Sequence, residues 1–318
     1  MYMEEQNHTD ISNSIKEEES FFKKNTKYLL PMSIVFASIM VSGTMLYITK
    51  IEKPAEAITN TAEEKVVQVA MEEIAPESGV TLPISWGDLG ARLIETGVID
   101  QTKFEELYAQ RGGLTENDKE LVYGTKNGKM TLTRDNSGVI LNLLWAFGIG
   151  NKNTILETGP MQDPRYGGAE RFASTGGWTL AKGDPMGHFS KHSFVTLTPE
   201  QQALVEKIAP TIFRPCCDNS TLLPDCNHGM AMLGLLELMA SQGVGEEEMY
   251  KVALQVNSYW FPNNYLTIAT FLKSKGIEWA TVNPKEILGA NFSSATASQQ
   301  IAAQITTPAQ GGGSSCGA

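Results

Sequence analysis

The first 80 residues of the chain alternate between strongly polar and strongly apolar stretches. Residues 28–49 contain no charged side chain, whereas residues 1–27 and 50–80 are rich in lysine and glutamate. About twenty uncharged residues in a helix span the roughly 30 Å hydrocarbon core of a bilayer. The pattern therefore predicts a transmembrane helix at 28–49, with a disordered tail at 1–27 before it and a stalk or linker at 50–80 after it.

The charges that flank the predicted span indicate its orientation. Lys23, Lys24 and Lys27 lie directly before it, and positive residues close to a span favour the cytoplasmic side. We therefore expect a single-pass protein of the cell membrane, with the bilayer as its partner, a cytoplasmic N-terminus and the main domain outside. The alternative is secretion after cleavage near Ala57, where a small-x-small pattern occurs, but the apolar stretch is longer than a usual signal-peptide core.

From residue 81 onward, apolar positions recur at helical spacing, which predicts one irregular, mainly α-helical domain over 81–306. Thr198 is followed by Pro199 and Gln201, the sequence of a capping box with proline at the first helical position. Thr115 and Asp118 indicate a second start of this kind. The other predicted helices are one capped by Ser85 that ends at Gly97, and those at 100–111, 137–147, 230–241, 246–260, 264–274 and 293–305.

Residues 151–197 interrupt this helical pattern with seven glycines and five aromatic residues. A loop of this length inside a domain is usually functional or disordered, and aromatic residues in such number favour packing over disorder. We predict a long ordered loop rich in glycine and aromatic residues. The Gly-rich segment 307–318, which contains Cys316, is expected to be a flexible tail.

Candidate chemistry concentrates at residues 214–229, which contain three of the four cysteines of the chain. Thiolate and neutral imidazole are the ligands that zinc and copper(I) prefer. The preceding loop adds two further histidines at a spacing of four residues. The sequence therefore predicts an extracytoplasmic site for copper or zinc, with the ligands Cys216, Cys217, Cys226, His228, His188 and His192.

Two other functions fit the same residues. In a thiol enzyme, for thiol–disulfide exchange or nucleophilic catalysis, Cys226 and His228 would be catalytic, because the positive end of the helix that follows them stabilises a thiolate. Cys316 would then serve as a second thiol. In an envelope binding module without catalysis, Cys226 would instead form a disulfide with Cys216 or Cys217, as cysteines of exported proteins tend to do.

Charge and motif content exclude other classes of function. The chain has 36 acidic and 25 basic residues, so its field repels nucleic acid. It contains no phosphate-binding glycine loop, serine-hydrolase elbow or His-Glu-x-x-His motif. The sequence leaves open whether the protein is an enzyme.

Overall fold

The computed structural model describes residues 67–305, so the predicted tail, the predicted span at 28–49 and residues 306–318 lie outside the described residues. Within 67–305, 58% of the residues are helical and 8% lie in strands, which confirms the mainly α-helical prediction. No helix within this range is both long and apolar enough to cross a bilayer.

The described elements begin with a small sheet among short helices and continue with longer helices. The first are α1 (67–74), β1 (Val80–Gly87), α2 (Leu89–Glu95), α3 (Gln101–Ala109), α4 (Glu116–Tyr123), β2 (Asn127–Leu132) and α5 (Ser137–Gly150). They are followed by α6 (Thr154–Thr158), α7 (Pro199–Ile208), α8 (Asn227–Ser241), α9 (Glu246–Trp260), α10 (Pro262–Ser274), α11 (Pro284–Ile287), α12 (Ala290–Ser293) and α13 (Ala295–Ala302).

Strands β1 and β2 form an antiparallel pair that the sequence analysis missed. Leu82, Ile84 and Trp86 are buried at alternate positions of β1, because successive side chains of a strand point to opposite faces. Ser85 lies in this strand and does not cap a helix. The prediction of a helix capped by Ser85 was therefore wrong at its start, and α2 begins after Asp88.

Helices α5 and α8 form the centre of the described domain, and almost all residues of both are buried. Their backbones touch where two glycines face each other. A Cβ atom on Gly148 would lie 2.3 Å from the carbonyl oxygen of Met230, and one on Gly234 would lie 2.7 Å from that of Leu144. Since real side chains do not tolerate such distances, only glycine permits this approach.

The long loop between α5 and α7 is ordered by its aromatic residues, as predicted. Trp178, Phe189 and Phe194 are buried, and the indole Nε1–H of Trp178 donates to the carbonyl oxygen of Val98 across 2.7 Å. Phe172 is partly buried, and Tyr166 is the exception, with 41% of its surface exposed. The chain follows an irregular path through α6 and four short 3-10 turns within 160–187.

Helix starts follow the capping residues closely. Both predicted capping boxes, at Thr115 and Thr198, are present. The helix predicted at 293–305 is instead α13 at Ala295–Ala302. Ser293 ends α12, and the Ser294 side chain accepts the amide of Ala297 and caps α13. Helix α8 begins earlier than predicted, directly after Cys226.

Residues before 81 contact the rest of the described chain. Ile74 and Ala75 are buried. Arg134 donates from Nε to the carbonyl oxygen of Ala75 across 2.7 Å, and Tyr259 donates its hydroxyl to that of Pro76 at the same distance. These contacts fasten α1 to the segment after β2 and to α9.

Candidate metal centre

The cysteine-rich segment between α7 and α8 folds back on itself through backbone hydrogen bonds. The amide of Cys217 donates to the carbonyl oxygen of Arg214 across 3.3 Å, and the amide of Thr221 donates to that of Ile212 across 2.8 Å. The first bond closes a turn, and the second joins residues nine positions apart, so that the segment folds back on itself. Cys216 therefore meets Cys226 although ten residues separate them in sequence.

Cys226 is the N-cap of helix α8. Its Sγ accepts the backbone N–H of Gly229 across 3.4 Å, which places the sulfur at the positive end of a 15-residue helix. Unpaired N–H groups and the helix dipole stabilise negative charge at this position. The thiolate form of a cysteine is favoured by such surroundings.

Arg214 is buried beside this sulfur, with 1% of its surface exposed. Its Nε–H donates to Sγ of Cys226 across 3.0 Å, and Nη2 pairs with the carboxylate of Asp225. Two backbone carbonyl oxygens, those of Asn219 and Leu223, accept its other N–H groups at 2.9 and 3.3 Å. Burial alone would lower the pKa of Arg214. The neighbouring thiols and carboxylate outweigh burial and raise that pKa, so the guanidinium stays charged.

Three of the predicted ligands come together as a group. Sγ of Cys216 lies 3.6 Å from Sγ of Cys226 and 4.0 Å from Nδ1 of His228, and the ligand atoms of the three residues all lie within 4.8 Å of one another. Cys226 and His228 are buried, and Cys216 is half-buried. The two sulfur atoms are farther apart than the roughly 2.05 Å of a disulfide bond, and no disulfide joins cysteines within 67–305.

A second group shares Cys226 and contains Cys217 and Asp225. Sγ of Cys217 lies 3.8 Å from Oδ1 of Asp225. A hydrogen bond with Cys216 lowers the pKa of Cys217, but the bond with Cys226 and burial outweigh it and raise that pKa to about 12. Arg214 already contacts two members of this group, Cys226 and Asp225. Its guanidinium therefore supplies the positive charge that a metal ion would otherwise provide here.

The imidazole of His228 packs against two aromatic rings. Its centroid lies 4.3 Å from that of Phe261 and 5.8 Å from that of Trp260. These rings come from the junction of α9 and α10. They form an apolar wall that orients the imidazole, with Nδ1 close to Cys216.

The two other predicted histidine ligands form a separate pair. Nδ1 of His188 lies 3.1 Å from Nε2 of His192, and Nε2 of His188 lies 3.1 Å from the carbonyl oxygen of Lys182. His192 stacks on Phe194, and burial, followed by the nearby His188, lowers its pKa. Neither residue belongs to a group of three metal-type ligands in the described part of the chain.

The cysteine segment is also fastened to the last described helix. The carbonyl oxygen of Cys217 accepts the amide of Ala295 across 3.0 Å. The carboxylate of Asp218 accepts both the amide and the hydroxyl of Thr296, each across 2.8 Å. Helix α13 therefore starts on the segment that carries the candidate ligands.

Arg214 and Asp225 are not among the residues that the sequence predicts for the site. The sequence does contain a pattern that could have indicated them. Arg-Pro precedes Cys216, and Pro-Asp precedes Cys226. A positive residue before one cysteine and a negative residue before the other indicate an ion pair between the two ends of the segment. Their burial beside a sulfur atom, however, follows only from the tertiary fold.

No family model matches the chain, and no curated protein and no solved structure is significantly similar to it.

Proposed function

We propose that the chain binds one thiophilic metal ion, zinc(II) or copper(I), through Cys216, Cys226 and His228. The observation that carries this proposal is the convergence of two sulfur atoms and one imidazole nitrogen at 3.6 and 4.0 Å. The enzyme hypothesis based on Cys226 and His228 gains less support, because it uses only two of the three side chains that come together here.

The spacing of these atoms suits a tetrahedral ion. Zn–S bonds of about 2.3 Å and Zn–N bonds of about 2.0–2.1 Å place two sulfur ligands about 3.8 Å apart and a sulfur and a nitrogen about 3.6 Å apart. The observed separations of 3.6 and 4.0 Å differ from these by amounts that side-chain rotation can close. Three protein ligands leave a fourth position for water or another ligand.

The charge of the buried group favours zinc(II) over copper(I). Two thiolates and the carboxylate of Asp225 face the single positive charge of Arg214, which leaves two net negative charges. A divalent ion neutralises them, whereas a monovalent ion leaves one uncompensated in surroundings of low polarity. Arg214 would also act on the bound ion by donating its Nε–H to a ligand sulfur, as groups behind metal ligands commonly do.

The test is elemental analysis of the full-length chain, purified in detergent without chelators and then titrated with zinc(II) and copper(I) against a competing chelator. We expect about one equivalent of zinc. Cys216→Ser, Cys226→Ser and His228→Ala should each lose most of it, while Cys316→Ser serves as the matched thiol control and should keep it. Circular dichroism of each variant separates lost ligands from lost folding.

Failure of the wild-type chain to take up either ion in its reduced state would contradict the proposal. Retention of a full equivalent by folded Cys216→Ser and His228→Ala variants would also contradict it, because the metal would then bind elsewhere.

We further propose that residues 28–49 anchor the chain in the membrane and that the metal site is extracytoplasmic. The support is the uncharged run and the lysines before it. Alkaline extraction of membranes should retain the full chain and release a variant that lacks 28–49. A membrane-impermeant thiol reagent should label Cys316 in intact cells, and labelling only after lysis would reverse the orientation.

A further inference from the structure

We propose that Cys216 and Cys226 form a reversible disulfide that excludes the metal ion, so that the redox state of this pair regulates the site. This inference rests on the proposed metal binding. It adds that the metal-loaded form and the disulfide form are alternative states of the same two sulfur atoms.

The separation of the two sulfur atoms allows either a shared metal ion or a disulfide bond with only a small movement. They lie 3.6 Å apart, and a disulfide requires an approach of about 1.5 Å to reach its bond length of roughly 2.05 Å. The pair supplies two of the three ligands. A sulfur in a disulfide carries no thiolate charge and is a poor metal ligand, so oxidation removes the site.

The exposure of the two cysteines sets the order of the reaction. Cys216 is half-buried, whereas Cys226 is 6% exposed. An incoming small-molecule disulfide, the oxidant in this proposal, therefore reaches Cys216 first. The Cys216 thiolate attacks one sulfur of the oxidant, a mixed disulfide forms on Cys216, and the other half of the oxidant leaves as a thiolate.

Cys226 completes the exchange from the interior. Its thiolate attacks Sγ of Cys216, which forms the Cys216–Cys226 bond and expels the second thiolate of the oxidant. The two protein thiolates have then lost two electrons, and the oxidant has been reduced to two thiolates. Arg214 loses one negative neighbour in this step but keeps its pairing with Asp225, so its charge stays compensated.

Cys217 also lies beside Cys226, with the two sulfur atoms within 4.8 Å of each other, but it does not belong to the group with His228 that the disulfide would disrupt. Its Sγ lies on the side of Asp225, at 3.8 Å from Oδ1, and 3.9 Å from the carbonyl oxygen of Asn219. A bond to Cys216, its neighbour in sequence, would also close a strained ring. The structure thus assigns Cys216 as the entry thiol and Cys226 as the resolving thiol.

The experiment uses the full-length chain in detergent, in a metal-free and a zinc-loaded form, exposed to oxidised glutathione. Peptide mapping by mass spectrometry identifies the disulfides, and a zinc titration follows. In the metal-free chain we expect a Cys216–Cys226 disulfide and at least a tenfold loss of zinc affinity, both reversed by a reducing dithiol. Bound zinc should slow the oxidation at least tenfold.

Variants test the order of events separately from folding. Cys226→Ser should accumulate the glutathione mixed disulfide on Cys216, because the resolving thiol is absent. Cys216→Ser should leave Cys226 unmodified in the folded chain. Cys316→Ser is the matched control and should oxidise like the wild type.

The outcomes separate this inference from the proposed function. The redox inference fails and metal binding stands if the reduced chain binds zinc but oxidised glutathione produces a disulfide between cysteines other than Cys216 and Cys226. The same holds if the oxidised chain still binds zinc. If the disulfide forms but the reduced chain binds no metal, the proposed function fails and the regulation of a metal site fails with it.

Discussion

The Nε–H of Arg214 points at the sulfur of Cys226 across 3.0 Å, inside the protein. This contact gives one sulfur atom two N–H donors, since the amide of Gly229 also reaches it. Arg214 thereby contacts both Asp225, its ion-pair partner, and Cys226, the N-cap of helix α8. Folding and metal binding are therefore expected to depend on the same side chain.

Replacement of the buried arginine should destabilise the chain. Arg214→Met leaves the carboxylate of Asp225 without its counter-ion, and loss of one partner of a buried pair costs about 3–5 kcal/mol. Urea unfolding followed by circular dichroism measures this change. In the fraction that still folds, zinc affinity should fall about 10–100-fold. The control is Arg165→Met, which removes an exposed ion pair with Asp163 and should change stability little. Equal effects of both substitutions would contradict a special role for Arg214.

The histidines should differ in their effect on metal content. His228→Ala removes a ligand that lies 4.0 Å from Cys216 and should lower zinc affinity by at least tenfold. His192→Ala removes the contacts with His188 and Phe194 and should leave zinc affinity unchanged. Competition with a chromogenic chelator measures both. If the two variants lose zinc equally, the loop histidines belong to the site as the sequence suggested.

The contact between α5 and α8 should tolerate no added methyl group. In Gly148→Ala the new Cβ would press on the carbonyl oxygen of Met230, and such overpacking costs about 1–3 kcal/mol. Gly138→Ala, in the first turn of the same helix, meets nothing within 4 Å and should be neutral or stabilising by up to about 1 kcal/mol. Thermal unfolding of the two variants provides the comparison. A destabilised Gly138→Ala with an unaffected Gly148→Ala would contradict the glycine contact.

Glu237 predicts how stability changes with pH. It is fully buried in α8, Asn151 donates to its Oε2 across 2.6 Å, and burial raises its pKa well above the ordinary value. A carboxyl whose pKa is raised on folding contributes stability below its unfolded pKa of about 4.3. That contribution is lost as the pH rises through the folded pKa.

Glu237→Gln keeps the shape of the side chain and removes this titration. We expect the wild type to lose stability relative to the variant between pH 5 and pH 8, and the urea midpoints at several pH values measure the difference. Glu95→Gln, at an exposed position of α2, controls for the loss of a carboxylate in general. Parallel pH profiles of wild type and Glu237→Gln would contradict a shifted carboxyl at this position.

The sequence predicted those parts of the fold that local chemistry decides. Thr115 and Thr198 cap their helices through side chains three residues away, and such contacts are encoded within one turn of helix. Ser85 misled because it precedes a helix in sequence but pairs in a strand with Lys129. Strand pairing joins distant segments, so a local pattern does not reveal it.

The sequence predicted the types of residue in the candidate site better than it predicted which of them lie together. Three of the predicted ligands lie on one segment, and Cys216, Cys226 and His228 do come together, because that segment folds back on itself. His188 and His192 have the same chemistry, but contacts with Lys182 and Phe194 hold them elsewhere. The packing of the long loop decides where these two histidines lie. The sequence of a glycine-rich loop does not indicate its backbone path.

The attachment of α13 to the cysteine segment has a consequence for dynamics. Helix α13 is eight residues long, too short to persist in water without tertiary support. Its first amide is held by Cys217 and its first turn by Asp218, so opening of that segment releases the start of the helix. The two should exchange their amide hydrogens as one cooperative unit, and exchange at the start of α13 would then report whether the metal proposed for this segment is bound.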